Sequence, residues 1–254
     1  MTEDGSKELK LFLAHIHELS ERALRQQNPE WTDFLEPSAR EEAEAVLKWV
    51  NGVRYNALGG YSRSERRRLV IYPDYYIVET IEPALAFLEI TGDHPTPPGH
   101  RDYLGALMSL GIKREKIGDI LAGPAGGQVV VAPELTDFIR VNLTEVAAGR
   151  VRVAVIEPEQ LNLPDSREKI IKSTVASLRL DAIAALGFGD SRTKMAREIK
   201  AERVKVNWKA VKSPDLEVAP GAIISIRGRG RVEFREVSGK SKKGRIGIVL
   251  ARLL

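Results

Sequence analysis

An α+β protein made of three successive parts is what the sequence predicts, on three observations. Residues 82–158 run strand, helix, strand, strand, helix, strand, the order of the split βαβ or ferredoxin-like arrangement. Ahead of them, Leu9, Phe12, Leu13, Ile16, Leu19 and Leu24 recur at mostly three- and four-residue spacing with charges between, which predicts an amphipathic helix over 6–27. Behind them the charge inverts. Residues 166–254 hold 21 Lys and Arg against 9 Asp and Glu, whereas residues 1–165 hold 18 against 26, within a whole-chain charge of only +4.

Composition bounds the chemistry. A length of 254 residues with 43% hydrophobic side chains is enough for packed cores. The chain has no cysteine, which excludes disulfide scaffolds, thiolate metal sites and Cys nucleophiles. No apolar run approaches the ~18 residues of a membrane span. The opening MTEDGSKELKLF lacks the apolar core of a signal peptide and the bias of a transit peptide, so the expected location is cytoplasmic.

Residues 1–80 read as an α/β region. After the first helix, TDFLEPSAREEAEAVLKWV predicts a second, with Ser38 as N-cap, Glu41 three residues on, and Val46, Leu47 and Val50 as its inner stripe. VRYNALGGYSRSERRRLVIYP reads as two strands about a Gly-Gly turn, with Arg66, Arg67 and Arg68 as a solvated approach to the second or, less favoured, as an RNA contact. Residues 81–158 form the ferredoxin-like domain. ALAFLEITG is its first strand, and the helix HRDYLGALMSLG ends at Gly111. IGDILA and QVVVA follow about GPAGG. ELTDFIRVNLTEVA is a helix with Pro133 just inside its start, and VRVAVIEP closes the domain. Its third strand, Gln128 to Val131, has no aromatic side chain for stacking bases. The proline-bearing stretch 159–171 reads as a linker.

Residues 172–254 form the basic part. SLRLDAIAALG is a short helix, capped by Ser177 and ended by Gly187. Ser191 caps a second, reaching about Ala201, with Met195, Ala196 and Ile199 on one side, Lys194, Arg197 and Lys200 on the other, and Arg192 in its first turn. VKVNW reads as a strand that turns Lys205, Asn207 and Lys209 outward. AIISIRG, RGRGRVEF and KKGRIGIVL add further strands, and KSKKGR is a short basic arm. So many like charges in one place repel one another unless an anion shares the space, which points to nucleic acid, an acidic protein or an anionic surface.

The pattern Arg179-Leu180-Asp181, Gly187-Phe188, Ser191-Arg192, Ala196, Ile199, Val204, Val206-Asn207, Val218, Gly221 and Ile224 resembles the S4-type RNA-binding domain. TDFLEP, GGYSRSERRRL, the stretch 88–120, PELTDFI and VNWK extend the likeness over essentially the whole chain. It resembles the YlmH-type S4-domain RNA-binding proteins, with the cyanobacterial members labelled photosystem II S4 domain proteins looking most similar. The resemblance implies a C-terminal S4-type domain behind a ferredoxin-like one, and a non-catalytic protein that binds structured RNA, rRNA or tRNA. It also implies association with the large ribosomal subunit in ribosome-associated quality control. It implies no cofactor, metal or small-molecule substrate. Carried over by position, Arg179, Ser191, Arg192, Lys194, Arg197, Lys200, Lys205, Asn207 and Lys209 form the contact set. Arg227, Arg229 and Arg231 in the Gly-rich turn are a second group. Two positions depart from the family pattern: Glu202 stands where a glycine usually ends the second helix, and Gly221-Ala222 where Gly-Asp is usual.

Catalytic readings are weaker. Arg-Leu-Asp also occurs in pseudouridine synthases, where the Asp is the nucleophile, but here it lies inside the RNA-binding pattern, so capping or pairing is expected of Asp181. GPAGGQ lacks the Gly-Lys-Ser/Thr of a phosphate loop and precedes a strand. Asp93, His94, His100 and Asp102 have no recognised ligand spacing. His15 and His17 fall on different sides of the first helix. An RNA-modifying enzyme and a photosystem II assembly factor are the alternatives.

Overall fold

The computed structural model describes residues 3–163, 168–240 and 244–253. Residues 164–167 of the expected linker and 241–243 of the basic arm lie outside them. The chain forms two compact units, Met1–Pro164 and Asp165–Leu254.

The first unit opens with α1 (Glu3–Gln26), β1 (Glu30–Trp31), α2 (Pro37–Leu47), β2 (Val53–Leu58) and β3 (Arg68–Pro73), the strands pairing antiparallel in the order β1-β3-β2. Ile16, Leu19 and Ala23 of α1 and Leu47 of α2 bury against Leu69 and Ile71. The start of α2 differs from expectation. Pro37 occupies its first turn, where a fixed φ and a missing N–H suit a helix start. Ser38 is thus already helical, and Glu36 is the N-cap, with no hydrogen bond from its side chain to the helix N–H groups. The helix stops at Leu47, so Val50 lies beyond it.

The arginine run is also different. Arg66 and Arg68 are buried rather than solvated. Arg66 donates to the carbonyls of Phe34 (2.9 Å) and Ile117 (3.0 Å) and pairs with Glu36 at 3.0 Å. Arg68 donates to the carbonyls of Thr32 (2.7 Å) and Ala84 (2.8 Å). A guanidinium carries five donors in a fixed fork, so one side chain can bond several main-chain carbonyls from distant parts of the chain.

The rest of the unit is β4 (Ala86–Gly92), α3 (His100–Ser109), β5 (Ile117–Gly123), β6 (Gly126–Val131), α4 (Thr136–Asn142), β7 (Glu145–Val146) and β8 (Gly149–Ile156), in the sheet order β5-β6-β4-β8-β7. Without the short β7 this is the ferredoxin-like order. Tyr103 and Leu107 of α3 and Ile139 of α4 pack on Leu88, Ile90, Val129 and Val131. The helix expected over 134–147 ends at Asn142, because Glu145 and Val146 turn back through Ala147 (φ 49°) to pair with β8. The other sheet face carries Phe87, Val130 and Ile156, packed with Phe34 and Leu161. Gln128, also on that face, donates to the Gln160 carbonyl (3.0 Å) and accepts the Asn162 N–H (2.6 Å), so residues 160–162 cross over it.

The second unit comprises β9 (Glu168–Val175), α5 (Leu180–Phe188), α6 (Arg192–Lys200), β10 (Val204–Val206), β11 (Lys209–Ala210), β12 (Ile223–Ile226), β13 (Gly230–Lys240) and β14 (Ile246–Leu253). One six-stranded sheet runs β11-β10-β12-β13-β14-β9. β9 begins inside the stretch read as linker and pairs along the whole of β14, from Val175↔Ile246 to Glu168↔Leu253. Its polar, exposed residues hide it from a periodicity argument. Leu180, Ile183 and Ala184 of α5 and Met195 and Ile199 of α6 bury against Ile224, Phe234 and Leu250. Arg179, not Ser177, is the N-cap of α5, and Gly189 (φ 70°), not Gly187, ends it. Gly187 serves packing instead: a Cβ there would stand 2.5 Å from Val232 Cγ1.

Candidate nucleic-acid interface

Two caps fix α6. The Ser191 hydroxyl accepts the Lys194 N–H at 3.2 Å. At the other end Glu202 takes the left-handed conformation, φ 56°. Its N–H donates to Ile199 O (2.9 Å) and the Arg203 N–H to Glu198 O (3.1 Å). This is the complete Schellman closure, formed without the usual glycine. Lys212 pairs with the Glu202 carboxylate at 3.0 Å.

The segment read as a single strand is a tight hairpin. β10 turns through Asn207 (φ 46°) and Trp208 (φ 61°) into β11, with Val206 opposite Lys209. Two successive positive φ values make the turn type I′, whose twist matches that of the strands, and asparagine tolerates it well. Asn207 also ties the hairpin to β12: its side-chain oxygen accepts the Ile223 N–H (2.9 Å), and its own N–H donates to the Ile223 carbonyl (2.8 Å). Trp208 is half-buried at the tip.

Two carboxylates bind the cations together. Asp181 is buried and accepts from Arg192 Nη2 at 2.9 and 3.0 Å and from Arg179 at 3.2 and 3.3 Å. Asp190 accepts from Lys194 at 3.0 Å and pairs with Arg229. Arg229 also lies over the Phe188 ring, 5.4 Å from its centroid.

Comparisons with known proteins place the parts of the chain within a family. The family model for the S4 domain matches residues 178–224, which take in α5, α6 and the hairpin. The model for the N-terminal part of YlmH matches 8–76, and the one described as "Putative RNA-binding domain in YlmH" matches 95–160. Over 248 residues the chain is 35% identical to "Ribosome-associated protein quality control protein P2" of Bacillus subtilis (strain 168), covering 97% of this chain and 96% of that one. The chain belongs to the YlmH family. The cell division protein ylmH from Streptococcus pneumoniae shares the fold, with a TM-score of 0.50 at 21% identity over 61% of this chain and 95% of that one.

In this YlmH-family chain the residues expected from sequence to contact RNA fall into four groups. Arg197, Lys200, Lys205 and Arg227 are exposed and have no carboxylate partner among the described residues. Arg179, Arg192, Lys194 and Arg229 are held by Asp181 and Asp190. Ser191 and Asn207 bond to backbone. Lys209 starts β11, and Arg231 is half-buried at the start of β13.

The electrostatics follow from these contacts. Burial raises the Asp181 pKa, but the hydrogen bonds from Arg179 and Arg192 outweigh it and hold the carboxyl below the ordinary range. Hydrogen bonds from Lys194 and Arg229 do the same at Asp190. Both groups are ionised at neutral pH and fix their partners by charge-assisted bonds. Asp181 therefore does what pairing requires. Sequence reasoning missed Asp190, whose only signal is its position four residues before Lys194. Of the loop considered for metal, Asp102 accepts the Gly99 N–H at 2.8 Å and so caps α3.

Proposed function

We propose that this protein is a non-catalytic, cytoplasmic RNA-binding protein of the ribosome, and that α6, the Asn207–Trp208 hairpin and the Arg227 turn receive structured RNA. rRNA and tRNA on the large ribosomal subunit are the RNAs proposed, in ribosome-associated quality control. The observation that carries the reading is the set of uncompensated cations: Arg197 and Lys200 on the doubly capped α6, Lys205 on β10 and Arg227 in the turn after β12. Phosphates neutralise such cations and release counterions, which gives affinity without reading sequence. The likeness to the quality-control protein of Bacillus subtilis supports the ribosomal setting. Few exposed aromatic side chains lie in this unit, which favours folded RNA over stacked single strands.

Titrating large subunits and isolated rRNA and tRNA across a salt series tests this. Arg197→Ala and Lys205→Ala are each expected to flatten the log-affinity against log-salt line by about one unit of slope. Unchanged slopes in both variants would show that another surface holds the phosphates. Mass analysis of the incubated RNA, with no new modified nucleotide, is the expected outcome for a protein without catalysis.

A further inference from the structure

Trp208 stands where the turn asks for glycine. It is the second turn residue of the β10–β11 hairpin, at φ 61°. A type I′ turn favours glycine there, and a bulky side chain in that conformation is strained. Core packing does not compensate. Val206 and Val211, on either side of the tip, pack against the core of the unit, and Trp208 is not among the side chains that do. Among the described residues no ring or cation is placed on the indole, and its N–H has no acceptor. Part of the side chain is open to solvent. The surroundings are cationic. From Arg203 to Lys212 the sequence has four Lys and Arg and no Asp or Glu. β12, on which the hairpin pairs, has no charged residue. The acidic residues of α6 and its C-terminal closure are already paired, Glu198 with Arg203 at 2.6 Å and Glu202 with Lys212 at 3.0 Å. Lys205 is exposed and has no carboxylate partner among the described residues.

A large ring held in an unfavourable backbone conformation at a hairpin tip, outside the core and without a partner, points to a contact made by the ring itself. The charge around it selects the contact. Cations draw in a phosphate backbone, and the flat face of an indole takes an unpaired base, since every base has a π-face to stack. A base inside a stem is already stacked on its neighbours and offers no face. We infer that Trp208 stacks on one unpaired base, so that the RNA received is a stem interrupted by a bulge or closed by a loop. This names the class of RNA for the site proposed above and rests on that proposal. One platform takes one base, which suits folded RNA rather than an extended single strand.

The test uses the full chain at low salt with two RNAs, a stem carrying one bulged 2-aminopurine and the same stem fully paired. The natural chain should bind the bulged RNA more tightly and quench its 2-aminopurine fluorescence. Trp208→Gly suits the turn, so its melting temperature should equal or exceed that of the natural chain. Its affinity for the bulged RNA should nevertheless fall at least about tenfold, its affinity for the paired stem should hardly change, and the quenching should disappear. Trp208→Phe should keep most of the affinity, because a ring is retained. The salt slope of Trp208→Gly should match that of the natural chain, whereas Arg197→Ala flattens it, which separates stacking from phosphate contact. Trp208→Gly binding the bulged RNA like the natural chain, or losing equally on both RNAs, would overturn the stacking and leave the phosphate-binding reading standing. A natural chain that binds neither RNA would overturn both.

Discussion

Asp181 decides how two arginines stand. Its side chain is only 8% exposed, yet it bonds Arg192, which is 56% exposed, and Arg179, 41% exposed. Removing that negative charge tests the arrangement by sign. If net charge alone mattered, Asp181→Asn would tighten RNA binding, since it adds one unit of positive charge beside the face. If the carboxylate positions the guanidinium groups, affinity falls. We expect a fall of about tenfold, read by filter binding or anisotropy at fixed salt, together with a stability loss of roughly 1–3 kcal/mol from the broken charged hydrogen bonds. The pH dependence follows from the same contacts. The folded carboxyl titrates below its unfolded value of 3.8. Its contribution is therefore complete above that unfolded pKa and disappears as pH falls through the lower, folded one. Acid unfolding of the natural chain should steepen below about pH 4. Asp181→Asn should lose that part of the slope, and an unchanged acid limb would count against the pairing. At Glu202 the expectation is the reverse of the usual one for a mutation. A side chain at φ 56° is strained, and its exposed pair with Lys212 contributes little. Glu202→Gly should therefore raise stability by about 1 kcal/mol in denaturant unfolding.

Among the elements, the proposed interface is a helix with both ends closed and a hairpin with a turn its residues tolerate. α5 carries it on an unusually bare surface: Ala182, Ala184, Ala185 and Gly187 are buried, so the helix sits close to the sheet. Gly187→Ala places a methyl group against Val232 and should cost about 1–3 kcal/mol by overpacking. A melting temperature equal to that of the natural chain would show that the contact relaxes freely. Alternation and helical spacing made most elements legible, because α6 and the central strands bury one face each. β9 and the β10–β11 hairpin were not legible for different reasons. β9 is an edge strand whose outward residues, Ile170 apart, are polar, and it pairs along the whole of β14. The hairpin turn uses Asn207-Trp208 instead of an Asn-Gly pair, so no local signal interrupts the run.

Across the whole molecule, the basic unit has its own core around Phe234, which is fully buried, and the first unit has separate cores. Phe234→Ala should destabilise the second unit by about 3–5 kcal/mol. In a two-probe unfolding experiment, the transition of the first unit is expected to stay in place while RNA binding is lost at the lower temperature. The inverted charge, the order of strands and helices over residues 82–158 and the place of the cationic helix were all readable from the chain alone, because each rests on local periodicity or on composition. Which charges stay available depends on the folded contacts. Arg66 and Arg68 look as solvent-facing as Arg197 in the sequence, yet the first two close over loop carbonyls and the third faces water. Charge is a property of the residue, but its compensation depends on partners distant in the chain, such as Asp181 for Arg192 or Asp190 for Arg229, that only folding brings together.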